Sequence, residues 1–166
     1  VDITNFVLHE TGQPLHAFDA AAIKGNRVRV MHLPEKTKFV TLDGVERNLA
    51  ATDLMICNSD EGMCIAGVFG GLKSGVTEAT TDLFLESATF SPVSVRRTSR
   101  RHDLRPDASY RFERGTDPEM TLYALRRAAM LVKEIAGGEI AGDLVDIYPT
   151  PVHRAVVKFS LERMQR

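Results

Sequence analysis

The stretch LFLESATFSPVSVRRTSRRHDL, Leu83–Leu104, holds the change of pattern on which the fold turns. Its first half alternates with a period of two, as a half-buried strand does. Leu83, Leu85 and Ser87 fall on one side, and Phe84, Glu86 and Ala88 on the other. At Ser91 the alternation stops. Ser91 is a good helix cap and Pro92 suits the first helical position, so the segment that follows reads as a helix.

Before this point the chain reads mainly as strands and turns. RVRVMHL (Arg27–Leu33) predicts a strand. KFVTLDGVERNL (Lys38–Leu49) predicts a hairpin, with Asp43-Gly44 supplying both positive-φ positions of a type I′ turn. DLMICN and MCIAGVFGG predict two buried strands around an Asp-Glu-Gly turn. Two short helices precede them. One rests on Ile3, Phe6 and Val7 and stops at Gly12; the other covers AFDAAAIKG, ending at Gly25. After Leu104 comes a loop rich in Pro, Asp and Gly, then the strongest helix, DPEMTLYALRRAAMLVKEIAGG (Asp117–Gly138). Asp117 caps it, Pro118 opens it and Gly137-Gly138 closes it. Met120, Leu122, Leu125, Ala129, Leu131, Val132 and Ile135 give that helix a broad apolar face. EIAGDLVDIY predicts a last strand, Pro149 and Pro151 mark a boundary, and AVVKFSLERMQR begins a further strand and helix. Partial segregation of strands from helices predicts an α+β fold, not a regular βαβ series. The expected form is a layered single domain of mixed, mostly antiparallel sheets packed with a few helices.

Composition bounds the function. Of 166 residues, 43% are apolar and 26% charged, a globular profile. With 21 basic and 22 acidic residues there is no global pull toward nucleic acid or membrane, so any nucleic-acid role must rest on a local patch. No apolar run reaches the length of a membrane span, and no signal-peptide pattern opens the chain. The opening Val suggests a piece of a longer protein. Cys57 and Cys64 suit reduced thiols of a cytoplasmic protein, and no ligand cluster accompanies them, so no metal is expected.

Four features could carry chemistry, and each has a plainer reading. GVFGGLKSG (Gly67–Gly75) matches neither phosphate-loop template and reads as a tight turn after a buried strand, although its glycines also permit close approach of a ligand. Arg96, Arg97, Arg100, Arg101, His102 and Arg105 form either a solvated helix face or a phosphate-contacting patch. Glu86, on a buried strand face, needs a partner; Arg111 or Arg114 could supply one, or the carboxylate could recognise a ligand. His16, in QPLH, is either a hydrogen-bonded core residue or a group facing substrate.

Four colinear segments reach further. VDITNFVLHETGQPLHAFD, FGGLKSGV, LESATFSPVSVRRTSRRHDLRPDASYRFERGTDP and the closing AGG resemble the central domain of the bacterial phenylalanyl-tRNA synthetase beta chain. The resemblance covers residues 1–150, and residues 151–166 resemble a linker and the truncated start of the next module. It implies an editing domain that hydrolyses tyrosine wrongly attached to phenylalanine tRNA. The carried-over catalytic residues are His16, Thr4 and Asn5. The substrate-binding residues are Glu86, which would recognise the tyrosine hydroxyl, with Gly70, Pro14 and Ala108. Arg97 and Arg101 are the candidate RNA contacts. The implied partners are the acceptor end of the tRNA and the synthetase alpha chain. No cofactor is implied in this domain; ATP and magnesium serve the synthetic site of the full enzyme. Many relatives carry threonine where this chain has Pro106, which puts that hydroxyl's contribution in question and leaves a non-catalytic tRNA-binding or structural module as the alternative.

Overall fold

The computed structural model describes residues 1–153 and 155–164. Helix α1, Asp2–Thr11, stops where Gly12 turns left-handed at φ 79° and its N–H bonds Leu8 O. Strand β1 is Leu15–Asp19. It takes the first part of the segment expected to be a second helix; Ala20–Ala22 and Lys24–Asn26 form only 3-10 turns. The alanines favour helix locally, but pairing with a distant strand outweighs that preference. That strand is β8, Leu83–Ser87, which runs antiparallel to β1 with His16 opposite Glu86 and Phe18 opposite Phe84.

Strands β2 (Arg29–His32), β5 (Leu54–Cys57), β6 (Gly62–Ile65) and β7 (Phe69–Gly70) form an antiparallel sheet in the order β2-β5-β6-β7. β3 (Lys38–Val40) and β4 (Glu46–Asn48) form the expected hairpin. Its turn differs from the expectation: only Gly44 has positive φ, at 76°, and its N–H bonds Thr41 O. One residue more than a two-residue turn is accommodated, with glycine in the left-handed position. Bridges Phe18–Gly75 and Thr41–Gly71 connect the small sheets to the β6–β7 region.

Helix α2, Pro92–His102, begins as the sequence indicated, with Ser91 at its N-cap position but no side-chain cap bond. A short helix that the sequence did not signal, α3 (Asp107–Phe112), occupies the Pro/Asp/Gly-rich loop. Helix α4 is Met120–Ala136. The Asp117 side chain accepts from Glu119 N, one turn before the helix proper.

The layers follow from burial. β5 and β6 are the centre of the main core, joined by Phe18, Phe39, Leu49 and Phe90 and by Val95, Leu104 and Phe112 from the α2–α3 region. A second cluster holds α4 on α1 through Val7, Ala124, Ala128 and Leu131, with Leu15 and Leu85 packed beneath. The broad apolar face expected for α4 is therefore narrower. Small alanines carry the seam and let the helices approach, while Ile135, expected on that face, is exposed.

From Glu139 onward the described residues form no strand, and those whose burial is defined are exposed. The expected strand over Glu139–Tyr148 is absent because nothing among the described residues pairs with it; a strand needs a partner to satisfy its backbone. Of AVVKFSLERMQR, only Leu161–Met164 is helical (α5), and Gln165 and Arg166 lie outside the described residues.

Candidate functional site

The β1–β8 pair has two faces. Leu15 and Leu85 turn to the helices, while His16 and Glu86, directly opposite each other, share the other face. That face borders a cavity of about 350 Å³, the scale of small-molecule sites.

The cavity gathers residues far apart in sequence, between Val1 and Phe112. Thr4 and Asn5 come from α1, Pro14 and His16 from β1 and its approach, Gly70 from β7, Glu86 from β8, and Ala108 from α3. All seven proposed from the sequence line the same space. Pro106 lines it too, presenting a ring and no hydroxyl. Cys64, Leu42, Phe90 and Phe112 also form the wall. Sequence reasoning missed these four, since each looks like ordinary apolar filling.

Local packing explains the glycine run. A Cβ on Gly70 would come within 2.9 Å of His16 Cε1 and 2.7 Å of Leu42 Cδ1. Gly67, at φ 69°, makes the turn out of β6, and a Cβ there would meet Phe90 at 2.7 Å. The segment is thus a tight turn and also a wall that lets the imidazole sit against backbone.

His16 and Glu86 are the unusual groups. His16 packs edge-on against Phe18, with ring centroids 4.4 Å apart, and its buried Nε2 has no hydrogen-bond partner among the described residues. Burial pulls its pKa down to about 4, so the ring is neutral at physiological pH. Burial pushes the Glu86 carboxyl up to about 7. The bland reading of Glu86 does not hold: Arg114 bonds Glu113 and Tyr110, and neither Arg111 nor Arg114 pairs with Glu86. The buried Cys64 thiol is held well above its ordinary pKa by burial and the nearby Glu86 charge, which makes it a poor nucleophile. Cys57 and Cys64 are both free.

The arginine segment divides. Arg97 is exposed. Arg101 instead pairs with buried Asp53, whose carboxylate also accepts from Thr98 Oγ1 at 2.8 Å and Ala50 N at 2.9 Å and contacts His102 Nε2 at 2.7 Å. No group of three or more His, Cys, Asp or Glu suited to a metal is found among the described residues, and no helix among them is long and apolar enough to cross a membrane.

Fold and cavity together define an α+β domain whose antiparallel sheets and helices enclose a ligand-sized, largely apolar pocket holding a histidine and a glutamate that have no partner among the described residues. The family model described as the B3/4 domain matches residues 1–137, and the chain belongs to that family. Three similar curated proteins carry the name phenylalanine–tRNA ligase beta subunit. The one from Porphyromonas gingivalis is 62% identical over 165 residues, and one from Bacteroides fragilis 59% over 164, each alignment covering 99% of this chain and 20% of the relative. The one from Bdellovibrio bacteriovorus is 50% identical over 162 residues, covering 98% of this chain and 20% of the relative. The chain thus spans about one fifth of the length of these relatives.

Proposed function

We propose that this chain is the editing domain of a phenylalanine–tRNA ligase beta subunit and hydrolyses tyrosine wrongly esterified to phenylalanine tRNA. The full protein then ligates phenylalanine to that tRNA with ATP and magnesium at a synthetic site on a partner alpha chain, in the cytoplasm. This domain itself uses no cofactor. Residues 1–150 form the editing unit, and 151–166 lead to the next module. The observation that carries the reading is the pair His16 and Glu86, opposite each other and without hydrogen-bond or ion-pair partners among the described residues, in a cavity sized for an aromatic amino acid.

The chemistry is consistent with that role. A synthetic pocket built for phenylalanine discriminates poorly against the same ring with one added hydroxyl, by about a hundredfold. A second pocket that requires the hydroxyl does better. Glu86 accepts the phenol proton, whereas a phenylalanine leaves the carboxylate without its partner. Ala108 leaves space for the ring, Gly70 lets His16 and Leu42 pack against its backbone, and Pro14 shapes the wall. An aminoacyl ester is already reactive, so the site must chiefly orient it with a water and stabilise the oxyanion. His16, held neutral, is a weak base at pH 7 and serves as a hydrogen-bonding group, with Thr4 and Asn5 lining the same cavity.

The test is tyrosyl-tRNA hydrolysis by the full-length enzyme. His16→Ala is expected to slow hydrolysis and leave phenylalanine charging intact. Glu86→Ala is expected to reduce discrimination between tyrosyl and phenylalanyl esters by about 1–3 kcal/mol. Unchanged editing in both variants would leave a tRNA-binding or structural module with a degenerate pocket, a reading that Pro106 favours.

A further inference from the structure

Cations gathered on one surface repel one another, so a cluster of them with little acid nearby calls for an anion. Behind the wall of the main cavity lies a second concavity, of about 200 Å³. Three arginines reach it from different places: Arg100 from the last turn of α2, Arg105 from the α2–α3 connector, and Arg114 from just beyond α3. Glu113 is the one acid in its lining, and Arg114 already bonds it at 2.8 Å. Arg100 has no ion-pair partner among the described residues. Among the described residues Arg105 approaches only the acid Asp103, at 3.8 Å, with both side chains largely exposed.

The concavity is built, not incidental. Buried Ser99 donates its hydroxyl to Leu104 O, and buried Ser109 donates its own to Pro106 O at 2.9 Å. These bonds hold the backbone on both sides of Arg105. The Arg114 guanidinium lies 3.3 Å over the Tyr110 ring, making a flat cationic platform on an exposed tyrosine. Arginine on an aromatic face suits the stacking of a nucleobase beside a phosphate.

We propose that this concavity binds the phosphate groups of the single-stranded nucleic acid end whose last unit enters the main cavity. α3 is the shared wall. Ala108 and Phe112 line the main cavity, Ser109 and Tyr110 line this one, and the consecutive residues Arg105 and Pro106 divide between them. A ligand with an aminoacyl group on one side of α3 carries its backbone charge past the other. The identity of the strand rests on the function proposed above. The placement replaces Arg101, which is committed to Asp53, as the RNA contact.

The experiment uses the full-length protein with Arg100→Ala and Arg105→Ala combined. A control, Arg126→Ala with Lys133→Ala, removes equal charge from exposed positions on α4. Binding of a short single-stranded RNA is followed against salt. Losing two phosphate contacts should reduce the slope of log K against log salt by about 1.4, with the control slope unchanged. An unchanged slope in the test variant, or equal reductions in both, overturns the proposal. Inorganic phosphate competing as well per phosphate as the RNA would make this a free-phosphate site and also overturn it. A third arm compares esters. KM should rise more for tyrosyl-RNA than for tyrosyl-adenosine, which has no upstream phosphate; equal losses on both would assign the arginines to the shape of α3 and overturn the proposal. If the unaltered protein hydrolyses neither ester, the editing reading fails while the salt slopes still decide the site.

Discussion

His16 and Glu86 respond to pH in opposite senses, although they face each other across one pair of strands. Glu86 is raised to about 7 in the fold. Between its ordinary value and 7 the unfolded chain has ionised while the folded chain keeps the proton, so stability falls as pH rises through that window. His16 is lowered to about 4. Between 6.5 and 4 the unfolded chain gains a proton that the folded chain refuses, so stability falls as pH falls. Glu86→Gln should therefore gain on the unaltered protein by about 2–3 kcal/mol between pH 4 and pH 8. His16→Gln should gain on it by a similar amount from pH 8 down to pH 4. Denaturant unfolding at several pH values checks both, and flat differences would show that neither group is held away from water. At this scale the sequence was informative where residue chemistry is unusual: a carboxylate on an apolar strand face and a histidine after Gln-Pro can be picked out. Leu42, Cys64, Phe90 and Phe112 could not, since a leucine facing a cavity and one facing a core are written alike.

Helix α2 shows how one buried charge positions an element. Asp53, immediately before β5, is almost fully buried and receives hydrogen bonds from the β4–β5 turn and from α2. Burial alone would raise its pKa, but the bonds from His102, Ala50 N and Thr98 outweigh this and hold it below the ordinary value. Its contribution is present above that value and lost as pH falls below it. Asp53→Ala should cost about 3–5 kcal/mol, because it strands Thr98, Arg101 and His102 without their common acceptor. Denaturant unfolding measures the loss, and a cost below 1 kcal/mol would mean that the carboxylate does not hold α2. Elements marked by local signals were legible: α1 with its glycine stop, the β3–β4 hairpin, and α4 between Pro118 and Gly137. Those decided by partners were not. β1 is a strand because β8 lies beside it, Glu139–Tyr148 is not one because nothing among the described residues does, and α3 is too short to show a period.

For the whole molecule, the exposed residues after Gly138 contribute little to the folded unit. Ending the chain at Gly138 should change its unfolding free energy by less than about 0.5 kcal/mol. A calorimetric comparison of the two lengths checks this, and a large loss would show that Ile140, Leu144 or Tyr148 anchors the fold. The α+β class was legible because strands dominate before Ser91 and helices after it; the enclosure of a cavity was not, since it arises only when α1, β7, β8 and α3 meet. That meeting also sets an order of events during synthesis. β1 and β8 are paired at positions about 70 residues apart. At about 5–20 residues per second, β1 leaves the ribosome several seconds before its partner exists. Through that interval Leu15 and Phe18 have no strand beside them, while the β3–β4 hairpin, whose strands are near neighbours in sequence, can already close. The pocket therefore cannot close until α3 as well as β8 has been made, well after the β3–β4 hairpin, and the period in which β1 is most open to misassembly is set by translation speed between β1 and β8.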